Sequence, residues 1–147
     1  DGLKDSMPAG DADVSIGYIA SSTEGSAVDT DETNLGLKIV SGDISMILST
    51  GKYEGSDEDR DNTGVGVSFA MPNGMTLGAY TFKSTDDLDV GEKFTRTGAE
   101  VEYTIASGLK AFVNIDDYDY KVTAANHEGT PTADNGTITQ LTIQATF

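Results

Sequence analysis

Eight segments of this chain alternate apolar and polar residues with a period of two. They span about 13–20, 34–40, 44–53, 65–71, 75–84, 97–105, 109–117 and 137–147. A period of two places successive side chains on opposite faces of a β-strand, and none of the eight segments keeps the period of about 3.6 residues that marks a helix. The pattern therefore predicts an all-β protein whose strands each have one apolar face.

The two faces of these strands differ in chemistry. The apolar face, which includes Leu37, Val67, Val101 and Ile143, has no charged residue. The polar face consists mainly of Gly, Ser, Thr and Gln and holds only four charges. A solvated sheet face would carry many Lys and Glu residues to stay soluble. The polar face is therefore expected to line an enclosed space.

The connections between the segments alternate in length. Short Gly-containing turns are predicted at 41–43, 72–74 and 106–108, and long loops at 21–33, 54–64, 85–96 and 118–136. Of the 25 acidic residues, 18 lie in the long loops or beside them. A bilayer explains this segregation, because a charge on the lipid side of a strand costs about 2–4 kcal/mol near the midplane.

These observations predict a transmembrane, antiparallel, up-and-down β-barrel with eight strands in this chain. The alternative is a secreted β-sandwich, in which the apolar face would pack against a second layer of the same molecule. Residues 1–12 are expected to form a leading linker or periplasmic segment without a strand. Residues 13–147 are expected to form the strands, with short periplasmic turns and long acidic extracellular loops.

Composition excludes several classes of function. No apolar run is long enough for a membrane-spanning helix, and the start of the sequence has no basic and apolar leader, as expected of a cytoplasmic protein or a chain whose signal has been removed. The absence of Cys excludes disulfides and thiolate chemistry. A net charge of −16 with scattered basic residues argues against nucleic acid as a partner.

The last predicted strand carries apolar residues at alternate positions and ends in an aromatic residue. These residues are Leu141, Ile143, Ala145 and Phe147. Here the sequence resembles bacterial outer-membrane porins, most closely the alphaproteobacterial general porins. The resemblance implies that these residues are the signal read by the barrel-insertion machinery, in the outer membrane of a Gram-negative bacterium. It also implies contact with outer-membrane lipid and lipopolysaccharide, and a homotrimer.

The resemblance leaves the total number of strands open. General porins have about 16 strands and narrow the pore with an inward-folded loop, for which no segment of this chain is a match. The chain is therefore either the C-terminal half of such a porin or a complete small eight-stranded barrel. Gly and Ser on the polar face would fill a narrow lumen poorly, which favours the half-porin.

The predicted function is passive diffusion of small hydrophilic solutes and ions through an outer-membrane channel. The candidate pore-lining residues are Lys38, Glu100, Glu102, Lys110 and Asn114. Glu102 and Lys110 flank a predicted turn, so they are alternatively a cross-strand ion pair. The acidic loops predict a preference for cations. The competing hypothesis is a small barrel that acts as a structural or adhesion protein through its acidic loops, without a conducting pore.

Asp57, Asp59 and Asp61 have the alternate spacing of a calcium-binding loop. The positions that would need Gly and a bidentate Glu hold Asn62 and Ser68 instead, so an EF-hand is excluded. A weak surface site for Ca²⁺ or Mg²⁺ is one interpretation, and a solvated acidic loop is the other. No other cofactor is expected.

The sequence contains no grouping of residues that predicts an enzyme. His127 is the one histidine and has no evident partner, so it is expected to be an exposed loop residue. Four aromatic residues near the long-loop ends of the strands predict either a membrane-interface girdle or packing against the loops. They are Tyr53, Phe82, Tyr118 and Tyr120.

Overall fold

The computed structural model describes residues 2–23, 29–55, 59–86, 91–122 and 133–146, and most of these residues lie in antiparallel strands. The strands are β1 (Gly2–Ala9), β2 (Ala12–Thr23), β3 (Thr30–Ser41), β4 (Ile44–Glu54), β5 (Asp59–Ala70), β6 (Met75–Asp86), β7 (Glu92–Ala106), β8 (Leu109–Val122) and β9 (Ala133–Ala145). Across these ranges there is no helix long and apolar enough to cross a membrane.

The strands form one sheet in the order of the sequence, from β1 to β9. Each strand is antiparallel to the next along the chain, which confirms the predicted up-and-down topology. In the described residues the sheet is open, because β1 and β9 each have a single neighbour. The described residues therefore do not form the closed eight-stranded barrel that the sequence left as an alternative.

The prediction that residues 1–12 form a linker without a strand is wrong. Gly2–Ala9 forms β1 and pairs with β2 over its whole length, with Met7 opposite Val14 and Pro8 opposite Asp13. The apolar alternation here is broken by Asp5 and Pro8, so the local pattern is weak. Within the described residues β1 has one neighbouring strand, β2, and proline is tolerated in a strand that pairs on one side.

The predicted tight turns are confirmed. Gly42, Gly74 and Gly108 have φ values of 56°, 81° and 75°, which are left-handed conformations that favour glycine. A fourth tight turn, which was not predicted, joins β1 to β2 at Gly10 with a φ of 69°. All four short turns lie at the same end of the strands, which we call the short-turn end; the other end is the long-loop end.

The strands extend further towards the long-loop end than predicted. β5 begins at Asp59 and β7 begins at Glu92, whereas alternation is clear only from 65 and 97. The added strand residues, 59–64 in β5 and 92–96 in β7, are mostly polar on both faces. The period-two pattern therefore disappears from the sequence, although the backbone hydrogen bonds between the strands continue. Several acidic residues that were assigned to loops therefore lie in strands.

The sheet is a single layer with both faces uncovered. No hydrophobic residue in the described part of the chain is buried. Val67 is 47% exposed and Ile143 is 60% exposed, and both lie on the apolar face. No second layer of the described residues packs against the apolar face, so the β-sandwich interpretation is wrong.

Candidate functional site

The polar face of the sheet holds all five residues that were predicted to line a pore. The strand register places Lys38 on β3, Glu100 and Glu102 on β7, and Lys110 and Asn114 on β8. Lys38 is separated from the other four by the intervening strands, so the five residues form two groups. Whether they line a pore stays a prediction at this point.

Glu102 and Lys110 form the cross-strand ion pair that the sequence left as an alternative. The ammonium Nζ of Lys110 donates to Oε1 of Glu102 over 2.6 Å. The two side chains face one another diagonally across β7 and β8, where Glu102 is directly opposite Phe112. Each charge largely neutralises the other, so the pair contributes little net charge to the polar face.

Glu100 has a different kind of partner. The amide nitrogen Nδ2 of Asn114 donates to Oε2 of Glu100 over 2.6 Å, and the two residues are directly opposite in the register. Since Asn114 is neutral, the negative charge of Glu100 is not compensated by this contact. Lys38 makes no salt bridge within the described ranges, so it is an uncompensated positive charge on β3.

Asp116 is the centre of a cluster that was not predicted. It is 1% exposed and is the most deeply buried side chain in the described residues. Nη2 of Arg96 donates to Oδ2 of Asp116 over 2.6 Å, and the hydroxyl of Tyr80 donates to Oδ1. The guanidinium of Arg96 also lies 5.8 Å from the centroid of the Tyr80 ring. We call Tyr80, Arg96 and Asp116 the Asp116 cluster.

Gly98 provides the space in which the Asp116 cluster forms. It lies between Tyr80 on β6 and Asp116 on β8, directly opposite both in the register. A Cβ atom at Gly98 would lie 2.1 Å from Oδ1 of Asp116 and 2.7 Å from Cζ of Tyr80. A side chain at this position would push Asp116 and Tyr80 apart, so glycine allows these two residues, on strands that are not neighbours, to hydrogen-bond directly.

Sequence reasoning missed the Asp116 cluster because it placed Arg96 in a long loop and counted Asp116 with the loop flanks. The sequence did contain a sign of this strand. Phe94, Arg96 and Gly98 lie at every second position, so they share the polar face of β7 with Glu100 and Glu102. The contact between Tyr80 and Asp116 still needs the register, because these residues are 36 positions apart.

Small residues leave an open groove on the polar face next to β6. Gly17, Gly36, Ser49 and Gly64 are register partners in turn from β2 to β5, and Phe82 continues the row on β6. A groove of about 650 Å³ lies over this part of the sheet, with Gly17, Gly36, Ser49 and Phe82 in its lining. It is large enough for many water molecules.

The aromatic residues do not form a girdle on the apolar face. Tyr53, Phe82, Tyr118 and Tyr120 all have the parity of the polar face. Tyr118 donates from its hydroxyl to Asp134 over 3.2 Å, and Tyr120 donates to Glu92 over 3.0 Å. The girdle interpretation is wrong. Aromatic rings favour the membrane interface, but the position of these residues along their strands directs the rings to the polar face.

The predicted metal site lies partly outside the described residues. His127, which was expected to be an exposed loop residue, is also not among the described residues. Asp57 is not described, and Asp59 is 3.9 Å from the ammonium of Lys52. The described residues contain no group of three or more metal-binding side chains. The Ca²⁺ or Mg²⁺ site stays a prediction.

The insertion signal also stays a prediction, because Phe147 is not among the described residues. Leu141, Ile143 and Ala145 lie on the apolar face of β9.

Comparison with known proteins agrees with this architecture. The family model described as Gram-negative porin matches residues 4–147. No curated protein matches the chain. Among solved structures, the anion-selective porin from Comamonas acidovorans is similar in fold, with a TM-score of 0.59 at 14% sequence identity. The match covers 95% of this chain and 45% of that porin, so the chain spans about half the length of the relative. The chain belongs to the Gram-negative porin family, whose members are β-barrel proteins of the outer membrane.

Proposed function

We propose that this chain forms part of the wall of a water-filled channel through which small hydrophilic solutes and ions diffuse passively. The observation that carries the proposal is the single-layer sheet with one apolar and one polar face, both uncovered by the chain itself. In a membrane the apolar face contacts lipid, and the polar face then borders the aqueous lumen.

We further propose that other strands complete the barrel. The edges of β1 and β9 are unpaired within the described residues, and unsatisfied backbone groups are expensive in a bilayer. The solved relative is about twice as long as this chain. Nine strands here would supply about half of a barrel of the size typical of general porins. As in other porins of that size, three such barrels are proposed to form a trimer.

We propose that the channel prefers cations to anions. On β7 and β8, Arg96 and Lys110 are each paired with a carboxylate, whereas Glu100 is paired with a neutral amide. The remaining local charge is therefore negative, and Lys38 on β3 opposes it. The relative from Comamonas acidovorans is titled anion-selective, but at 14% identity its selectivity does not transfer to this chain.

Conductance in planar lipid bilayers tests the proposed function. The full-length protein should give stepwise increases in current, and a gradient of KCl should give a reversal potential of the sign expected for cation preference. A barrel that inserts correctly but conducts no current would instead favour the structural or adhesion protein. Conduction with a reversal potential of the opposite sign would refute the cation preference alone.

The channel needs no catalytic residue, and none is proposed. The C-terminal residues Leu141, Ile143, Ala145 and Phe147 are proposed to guide insertion by the barrel-assembly machinery.

The acidic loop with Asp57, Asp59 and Asp61 is proposed as a weak site for Ca²⁺ or Mg²⁺. Calorimetric titration of the intact protein with CaCl₂ should give a binding heat that is lost when all three residues are changed to Asn.

A further inference from the structure

Three aromatic residues lie close together on the polar face, at the long-loop end of β6, β7 and β8. Phe82 is on β6, and Phe94 and Tyr120 are directly opposite one another on β7 and β8. The ring centroids of Phe82 and Phe94 are 6.4 Å apart, and the two rings are tilted by 57°. Phe82 is 36% exposed, so its ring is accessible to a solute. We call Phe82, Phe94 and Tyr120 the aromatic wall.

The aromatic wall borders a cavity of about 420 Å³ whose remaining lining is polar. The polar lining consists of Arg60, Asn62, Ser84, Asp86 and Glu92. The register places Arg60 opposite Asp86 and Asn62 opposite Ser84, on the same face as the aromatic wall. Arginine, asparagine and serine side chains supply hydrogen-bond donors, and the two carboxylates supply acceptors. The cavity therefore offers both kinds of hydrogen-bonding group beside apolar rings.

The two carboxylates of the cavity are held in place by the protein. Asp86 is 7% exposed and accepts a hydrogen bond from the backbone N–H of Asp59 over 3.4 Å. The hydroxyl of Tyr120 donates to Oε1 of Glu92 over 3.0 Å, which ties this carboxylate to the aromatic wall. Side chains that are ordered before a ligand arrives lose less conformational freedom on binding. The polar lining is therefore prepared for a ligand.

The cavity continues into the groove over the small residues of β2, β3 and β4. Phe82 and Asn62 line both spaces. Gly17, Gly36 and Ser49 line the groove and leave it open beside the ring of Phe82. A ligand that contacts the aromatic wall can therefore extend along the sheet, and an elongated molecule makes more contacts than a compact one.

The combination of rings and hydrogen-bonding groups specifies the chemical class of the ligand. A sugar ring has a face of C–H groups that packs on an aromatic ring, and hydroxyls that both donate and accept hydrogen bonds. An inorganic ion makes no use of the rings, and an apolar solute would leave Asp86 and Asn62 without partners. An organic cation would be repelled by the guanidinium of Arg60. A neutral saccharide uses all of these groups.

We propose that the aromatic wall and its polar lining form a binding site for neutral oligosaccharides at the long-loop end of the channel. The inference rests on the proposed function, because the polar face must border the lumen for a solute to reach the site. The site binds weakly, since a solute that passes through a channel must be able to leave each site that it enters.

Saturation-transfer NMR on the full-length protein in detergent tests the site with two probes, maltotriose and cellotriose. The detergent has neither an aromatic group nor a sugar headgroup, because such a headgroup would compete. Irradiation of the aromatic protons of the protein should transfer saturation to the C–H protons of at least one trisaccharide, and that trisaccharide should bind more tightly than glucose. Phe82→Ala should raise its dissociation constant about tenfold, because the exposed ring of the wall is lost.

Phe112→Ala is the matched control. Phe112 is also an aromatic residue of the polar face, but it lies on β8 near the short-turn end, opposite Glu102. This variant should bind the trisaccharide as the wild type does, and so should Phe82→Tyr, which keeps a ring in the wall. If Phe82→Ala folds poorly, Asn62→Ala should still weaken binding, because Asn62 lines both spaces.

Three results would overturn the proposal. The first is no saturation transfer to either trisaccharide in the wild type. The second is unchanged affinity in both Phe82→Ala and Asn62→Ala. The third is a loss of affinity in Phe112→Ala that equals the loss in Phe82→Ala.

Ion current through planar bilayers distinguishes this inference from the proposed function. A trisaccharide at the site should reduce the current, and Phe82→Ala should need about tenfold more trisaccharide for the same reduction. A protein that conducts ions but neither binds trisaccharide nor loses current in its presence would refute the site and leave the channel. A protein that binds trisaccharide through Phe82 but conducts no current would refute the channel and leave the site.

Discussion

Arg96 and Asp116 form an ion pair between neighbouring strands, with 2.6 Å between Nη2 and Oδ2. The two ends of the pair have different surroundings, because the side chain of Arg96 is 43% exposed whereas that of Asp116 is 2% exposed. The carboxylate therefore depends on Arg96 and Tyr80 for the hydrogen bonds that water would otherwise provide. This asymmetry determines what each substitution in the Asp116 cluster should do.

Replacing Arg96 by Gln should destabilise the sheet by about 1–3 kcal/mol, because a buried carboxylate would lose its charged partner. The same kind of change at a more accessible pair, Lys110→Gln, should cost less than about 1 kcal/mol, because the side chains of Lys110 and Glu102 are 45% and 24% exposed. Urea unfolding of the full-length protein in detergent measures both free energies. Equal losses at the two positions would show that the burial of Asp116 has no energetic consequence.

Gly98→Ala should destabilise the protein and separate Tyr80 from Asp116, because the added Cβ would lie within 2.1 Å of Oδ1 of Asp116. The matched control is Gly17→Ala on the same face, where a Cβ would have nothing within 4 Å. Heat unfolding of the two variants makes the comparison. Combining Gly98→Ala with Asp116→Ala should reduce the added penalty of the Gly98 change, since the clashing carboxylate is gone.

Ion selectivity should respond to the uncompensated charges of the polar face more than to its ion pairs. Glu100→Gln should lower the preference for cations, and Lys38→Gln should raise it. The double change E102Q/K110Q should leave selectivity close to that of the wild type, because it removes one charge of each sign from a pair 2.6 Å apart. Reversal potentials in a KCl gradient report all three, and unchanged values for both single variants would contradict the assignment of these residues to the lumen.

Deleting Phe147 should reduce the amount of folded protein in the outer membrane without changing the conductance of the molecules that insert. The reason is that the C-terminal residue is proposed as a signal for assembly and not as part of the polar face. Heat-modified mobility on gels measures the folded fraction in membranes. Phe147→Tyr, which keeps an aromatic ring, serves as the control, and normal assembly of the deletion variant would count against the signal.

The fold class followed from local properties of the sequence. Alternation across Val65–Met71 or Leu109–Ile115 identifies a strand and its apolar side without knowledge of any neighbour. The turn at Gly42 was also predictable from the local sequence, because a short connection that contains glycine specifies a hairpin. Prediction failed where the local signal was weak. Pro8 and Asp5 obscured β1, and polar residues on both faces concealed the first residues of β5 and β7.

The sequence by itself determined that this chain makes strands with a lipid-compatible face and a polar face, because side-chain direction in a strand depends only on position parity. The tertiary structure alone decided which residues meet. Asp116 contacts Arg96 and Tyr80 from 20 and 36 positions away, and Lys93 lies opposite Lys121. Such meetings depend on the register of whole strands and on the space left by Gly98, and neither is a local property of the chain.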